Sequence, residues 1–140
     1  MNILFFLTPK SEVAYLYDTD SLRQALEKME NHRYSAIPII GKADGRYIGT
    51  LTEGDLLWNI KDSENLSLHG AEDISIMEVK RNRDNEPVEV DVAMEDLINK
   101  AMNQNFVPVI DDGKCFIGII TRKDIIQYLN SKLAAALNNK

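Results

Sequence analysis

Apolar residues fall at helical spacing twice along the chain, and each time the pattern leads into a pair of apolar strands. Leu22, Ala25, Leu26 and Met29 stand at i, i+3, i+4 and i+7, which is one face of a helix. Met94, Leu97, Ile98 and Ala101 repeat that spacing 72 positions later. Behind the first helix come Ala36-Ile37-Pro38-Ile39-Ile40, a Gly-bearing turn over Lys42 to Gly45, and a second apolar run from Tyr47. Behind the second come Phe106-Val107-Pro108-Val109-Ile110, a turn at Asp111-Asp112-Gly113, and Phe116 to Ile120. Paired apolar runs joined by such turns read as antiparallel hairpins. A short strand precedes each long helix, Val13 to Tyr17 and Val88 to Val90. Asp18-Thr19-Asp20-Ser21 supplies start chemistry before Leu22, because these side chains accept from free first-turn amides. A last helix begins after Thr52 and again after Thr121.

Each half therefore predicts the order β-α-β-β-α, and the fold class is α+β. Pro108 follows Pro38 by 70 positions, and Thr121 and Asp124 follow Thr52 and Asp55 by 69. The second copy is two residues shorter between its helix and its Pro strand. Neither half has enough apolar surface to be stable alone. Two copies packed through their sheets about a pseudo-twofold axis would meet that need. The sequence divides into repeat 1 over 1–60, a polar connector over 61–73, repeat 2 over 74–130 and a tail over 131–140. Ile74, Ile76 and Met77 form the lead-in to the second repeat. The tail segment Lys132 to Leu137 resembles a cloning-vector remnant and is left out of the functional reading.

Composition narrows the classes without naming one. With 140 residues, 44% hydrophobic and 27% charged, the chain is that of an ordinary folded domain. The net charge of −6 repels a polyanion, which argues against nucleic acid as the main partner. The apolar start, Ile3-Leu4-Phe5-Phe6-Leu7, is too short for a membrane span and is expected as a buried strand or a dimer contact. The lone cysteine, Cys115, is expected as a buried reduced thiol, which fits a cytoplasmic protein. His32 and His69 have no ligand-like neighbours in sequence, and Asp111-Asp112 has no third carboxylate in view. No metal and no obligatory cofactor are expected.

Chemistry concentrates in Gly49-x-x-Thr52-x-x-Asp55 and Gly118-x-x-Thr121-x-x-Asp124. A threonine three residues before an acid is first of all a helix cap. The same turn also offers free amides and a hydroxyl, which suit a phosphate, and a carboxylate, which suits paired ribose hydroxyls. The strand ends Ile37-Pro38 and Val107-Pro108 would frame a flat base. The two turns are not equal. Arg122 and Lys123 follow Thr121, whereas Glu53 and Gly54 follow Thr52. A phosphate is favoured at the second turn, unless Arg122 and Lys123 are simply a solvated helix face.

These residues together resemble a CBS-domain pair, also called a Bateman module. The resemblance rests on Leu22, Ala25 and Leu26, the apolar-Pro-apolar strands at Pro38 and Pro108, the two Gly-x-x-Thr-x-x-Asp segments, and a lead-in at Thr8-Pro9. It covers nearly all of residues 1 to 130. It implies a pseudo-twofold module that often dimerises, with clefts between repeats for adenosine-containing ligands such as AMP, ADP, ATP or S-adenosylmethionine. It implies that Asp55 and Asp124 hold ribose hydroxyls, that Thr52 and Thr121 contact ribose or phosphate, and that Ile37 and Val107 frame the base. At the second lead-in Met77 is followed by Glu78 where the family carries a threonine.

The function expected is a stand-alone regulatory module. It would bind an adenine nucleotide, form a homodimer and signal to a regulated protein, with neither nucleic acid nor membrane as partner. The alternatives are a structural dimerisation module with no bound nucleotide, and a sensor of S-adenosylmethionine or a cyclic dinucleotide. No nucleophile-base pair, phosphate-binding lysine loop or dinucleotide fingerprint suggests an enzyme. Trp58 is either a dimer anchor or ordinary core packing. Arg33 is expected exposed and Tyr34 half-buried.

Overall fold

A computed structural model describes residues 2–62 and 68–139. The expected connector over 61–73 falls in part on 63–67, outside the described residues. Seven strands and four α-helices are present among the described residues. The strands are β1 (Thr8–Pro9), β2 (Leu16–Tyr17), β3 (Ala36–Ile40), β4 (Tyr47–Thr52), β5 (Val88–Glu89), β6 (Phe106–Ile110) and β7 (Phe116–Thr121). The helices are α1 (Leu22–His32), α2 (Glu53–Asp62), α3 (Met94–Asn103) and α4 (Arg122–Asn138). The class is α+β, as the periodicity requires, and both halves show the expected β-α-β-β-α order.

The chain forms two compact units that do not follow the linear repeats. One contains 14–84 with 113–116; the other contains 1–13, 85–112 and 117–140. In the first unit the sheet order is β2-β3-β4. β2 runs parallel to β3, and β3 and β4 form the antiparallel hairpin that the apolar runs predict, with Pro38 opposite Thr50. In the second unit the order is β1-β7-β6-β5, with β5 parallel to β6. The outermost strand β1 comes from the very start of the chain and pairs antiparallel with β7, Thr8 opposite Ile119 and Pro9 opposite Gly118.

Local chemistry fixes the helix starts. Ser21 caps α1 in a full capping box: its side chain accepts from Gln24 N, and Gln24 Oε1 accepts from Ser21 N at 2.7 Å. Arg33 closes the helix in the left-handed conformation at φ 57°, exposed as expected, and His32 stacks on half-buried Tyr34. The matching helix α3 starts at Ala93, which provides no side-chain cap. Glu95 and Asp96 in its first turn favour the positive end of the helix dipole instead. The apolar faces enter two separate cores. Leu22, Ala25 and Met29 pack with Ile37, Ile39, Leu51 and Leu56. Leu97 and Ala101 pack with Val107, Val109, Ile120 and Ile125.

Several expectations need correction. The apolar start is not a strand but a 3-10 turn, Ile3–Phe6, closed by Asn2 Oδ1 accepting from Leu4 N. Only Ile3 is buried there, and Phe5 is 83% exposed. The first strand of each half is shorter than read, because a 3-10 turn occupies Lys10–Glu12 and Val92 N turns back to Glu89 O. Cys115 is half-buried rather than buried, bridged to Arg46 with its thiol donating to Asp44 O. Trp58 is 56% exposed and is not core packing. Lys132 to Leu137, the tail left out of the functional reading, is helical and continues α4. No helix among the described residues is long and apolar enough to cross a membrane.

Gly118 shows how tightly β1 is seated. A Cβ there would collide with the backbone oxygen of Thr8 and with the Leu7 side chain. A Cβ at Gly49 would meet only the Asp84 carboxylate, the end of a side chain that can rotate. Gly118→Ala is therefore expected to cost about 1–3 kcal/mol in urea unfolding, as overpacking does, and Gly49→Ala distinctly less.

Candidate functional site

The two Thr-x-x-Asp turns start their helices in the same way and then diverge. Thr52 Oγ1 accepts from Asp55 N at 3.0 Å, and Thr121 Oγ1 accepts from Asp124 N at 3.1 Å. Both threonines are thus helix caps, as their spacing requires. Ahead of each helix, Glu53 N donates to Ser35 O and Arg122 N to Asn105 O.

In the first unit the Asp55 carboxylate is fully used. One oxygen accepts from Thr52 N at 3.1 Å, completing a capping box. The other accepts from Asn82 N at 2.9 Å. Asp55 is only 4% exposed. Asn59, one turn along α2, donates to both Asp55 O and Lys80 O and accepts from Lys80 N. Nearby, Asp84 Oδ1 accepts from Thr50 N at 2.9 Å and from Arg81 Nε at 2.8 Å. Thr50 also meets the Tyr47 phenol at 2.6 Å. Burial, with Asp84 beside it, pushes that phenol above its ordinary range, so it remains neutral.

In the second unit the Asp124 carboxylate is half-buried and has no partner among the described residues. It lines a cavity of about 470 Å3. One wall is Asp124, Gln127, Tyr128 and Ser131, which stand at i, i+3, i+4 and i+7 on α4. The other wall is Phe5 to Thr8. Phe6 and Tyr128 meet edge to face at 4.7 Å. The lining offers a free carboxylate, a hydroxyl, an amide and aromatic rings, the inventory that suits a sugar carrying a flat base.

The other expected site residues divide. Ile37 and Val107 are 0% exposed and belong to the two cores, and Pro38 and Pro108 are buried beside them. Their side chains are committed to packing, so these strands can offer a ligand only backbone groups. Arg122 Nε donates to Ala101 O at 2.8 Å, where a cation closes the last turn of α3. Arg122 is exposed and also clasps the end of α3 through this one bond. Lys123 is exposed with no partner among the described residues. Sequence reasoning missed Phe5, Phe6, Gln127 and Tyr128. The helical residues were legible as one stripe of α4, but nothing in the order of residues announces that the chain start packs along it.

Asp111 and Asp112 do gain acidic company, contrary to the linear reading. Together with Glu89 and Asp91 they line a cavity of about 590 Å3. Among the described residues no three such groups converge in a manner that would hold a metal ion.

The profile of the CBS domain matches residues 6–62 and 76–131. Among solved structures, the chain is similar to CbpB in complex with c-di-AMP, at 26% identity and a TM-score of 0.87 over 100% of this chain and 91% of that one. It is also similar to CbpB from Streptococcus agalactiae, at 28% identity and a TM-score of 0.80 over 96% and 84%. The protein MJ1225 of Methanocaldococcus jannaschii is 24% identical over 139 residues, covering 91% of this chain and 49% of that protein. The chain thus spans about half the length of this curated relative.

The two aspartates should respond differently to removal. Asp55→Ala leaves two amides without their acceptor and is expected to cost about 2–3 kcal/mol in urea unfolding. Asp124→Ala removes only a favourable charge at a helix start and should cost under about 1 kcal/mol. Equal losses would contradict the structural division between them.

Proposed function

The chain belongs to the CBS-domain family, and on that premise we propose that it is a regulatory module that binds an adenosine-containing nucleotide at the Thr121–Asp124 turn. The carrying observation is the unpartnered carboxylate of Asp124 on a cavity that also presents Thr8 and Gln127. A half-buried carboxylate with no protein donor is an available acceptor, and the vicinal hydroxyls of a ribose are two donors. In this reading Asp124 takes the ribose and the exposed Phe5 ring lies against the base. Thr121 serves as the helix cap, and the phosphate is drawn by Lys123. Arg122 contributes less than its charge suggests, because its Nε is held by α3. Thr52 and Asp55 are read as structural. Ile37, Pro38, Val107 and Pro108 contribute backbone only.

The ligand class is an adenine nucleotide, and one observation favours its cyclic dinucleotide form. The similar CbpB structure is a complex with c-di-AMP. AMP, ADP or ATP presents the same ribose and base to Asp124. Binding would act by stabilising one arrangement of the protein, to an extent set by the difference in affinity between arrangements. The module is read as non-catalytic and as acting on a separate regulated protein.

A homodimer is part of the proposal. Leu57 and Trp58 on α2 are 62% and 56% exposed, and Ile126 and Leu129 on α4 are 57% and 41% exposed. A second copy packed on either helix would bury the apolar surface of that helix. Light scattering is expected to give twice the chain mass, and Ile126→Glu with Leu129→Glu, or Leu57→Glu with Trp58→Glu, is expected to give the monomer.

Isothermal titration with AMP, ATP, c-di-AMP and S-adenosylmethionine tests the ligand. Asp124→Ala should weaken the best binder by about 10- to 100-fold, the range for hydrogen bonds to a charged group. Asp55→Ala, compared at a temperature where it remains folded, should retain most of the affinity. Silence from every compound would sink the nucleotide reading in favour of a purely structural module.

A further inference from the structure

The segment Lys80 to Asp84 has no regular secondary structure, yet it is fastened at three points to the turn that matches the proposed nucleotide site. Asn82 N donates to Asp55, Lys80 exchanges two hydrogen bonds with Asn59, and Asp84 takes the Thr50 amide. Asp55, Asn59 and Thr50 lie on α2 and β4, in the same repeat as the threonine cap.

We propose that Lys80–Asp84 is a tethered internal ligand. It occupies the place at the first turn that a nucleotide would take, so that the chain carries one nucleotide site and not two. The reasoning is a matter of donors and acceptors. A carboxylate of this motif that is to hold a ribose must have an oxygen free for hydroxyl donors. In Asp55 both oxygens already accept backbone amides, one from its own helix cap and the other from Asn82 at 2.9 Å, and the residue is 4% exposed, so no hydroxyl donor reaches it while the segment is in place. The amide is a hydrogen-bond donor, as a ribose hydroxyl is, but it is covalently attached. It therefore competes as an intramolecular partner, with an effective concentration set by the tether. Asp124, its counterpart, has no such donor.

The clasp also has a distinctive hold on the strand edge. In the second unit the β7 edge is covered by the backbone of Thr8 and Pro9. In the first unit the Thr50 amide is taken by a side chain, Asp84, which Arg81 orients at 2.8 Å. A side-chain clasp can be released by rotation about two bonds, whereas a paired strand must be peeled away. The segment is thus built to be held and to be removable, and its release would expose Asp55 to solvent and to ligand.

This inference rests on the nucleotide reading for its stoichiometry but not for the clasp itself, and two measurements separate them. Titration of the intact chain with AMP and with c-di-AMP should saturate at a single site per chain for the tighter binder. The double variant Asn59→Ala, Asp84→Ala should gain a second, weaker binding event, and adding Asp55→Asn should abolish that event alone. Two equal sites per chain in the wild type, or a double variant that folds without gaining one, would overturn the proposal. Hydrogen exchange needs neither ligand nor the double variant. Asp55→Asn should speed exchange at the Asn82 amide at least tenfold while leaving amides of β6 unchanged. Unchanged protection at Asn82 would show that the clasp does not depend on Asp55 and would overturn the proposal by itself. Absence of nucleotide binding with fast Asn82 exchange in Asp55→Asn would remove the nucleotide reading and keep the clasp.

Discussion

The outer edge of the last strand in each repeat carries backbone N–H groups that no neighbouring strand of the same repeat can take. Such groups cannot be left buried without a partner, and meeting this demand shapes the rest of the molecule. For β7 the partner is the chain start, whose Thr8 and Pro9 pair with Ile119 and Gly118. For β4 it is Asp84, which accepts from Thr50 N. Each solution draws a lead-in segment to the sheet of the other repeat, which is why the compact units interleave the linear halves. Glycine at 49 and 118 follows from the same demand, since each partner approaches to within the space of a Cβ.

The two solutions differ in kind, and the difference reaches the helix starts. A paired strand ends where its register ends, so the chain start passes along α4 and leaves Asp124 facing a cavity. A side-chain clasp brings a length of irregular backbone with it. That backbone places Asn82 N against Asp55 and Lys80 against Asn59. Duplication copied the Thr-x-x-Asp motif, but the motif's availability was decided by what covers the neighbouring strand. Identical residues at one spacing have become a buried brace in one unit and an open acceptor in the other.

Much of this was legible in the order of residues, and the reasons for the remainder are physical. Helices α1 and α3 are visible because their apolar faces follow a 3.6-residue period and enter separate cores. The hairpin of β3 and β4 and the caps at Thr52 and Thr121 are visible because turns and caps are local. The burial of the Ile37 and Val107 side chains is not legible because an apolar strand residue looks the same whether it faces a ligand or a core. The bond from Arg122 to Ala101 O is not legible because the charge is in the sequence while the partner is 21 positions away. The apolar start looked like a strand because composition does not show that Asn2 caps a 3-10 turn there.

Charge, Arg122-Lys123 against Glu53-Gly54, is one basis for the proposed preference for the second turn, and the hydrogen bonding of the two aspartates is another. Arg122 is tied to Ala101 O through its Nε, and charge on exposed Arg122 and Lys123 is screened by solvent and salt. What separates the turns more sharply is acceptor availability. An exposed charge alters affinity modestly and by an amount that falls with ionic strength, whereas an acceptor already filled by a tethered amide removes a hydrogen bond outright. The two causes therefore differ in their salt dependence. If charge dominated, the inequality between the turns would fade at high ionic strength. Because it rests on the engagement of Asp55 by Asn82, a nucleotide bound at Asp124 should keep its preference for that turn as salt is raised, even while its phosphate contact weakens.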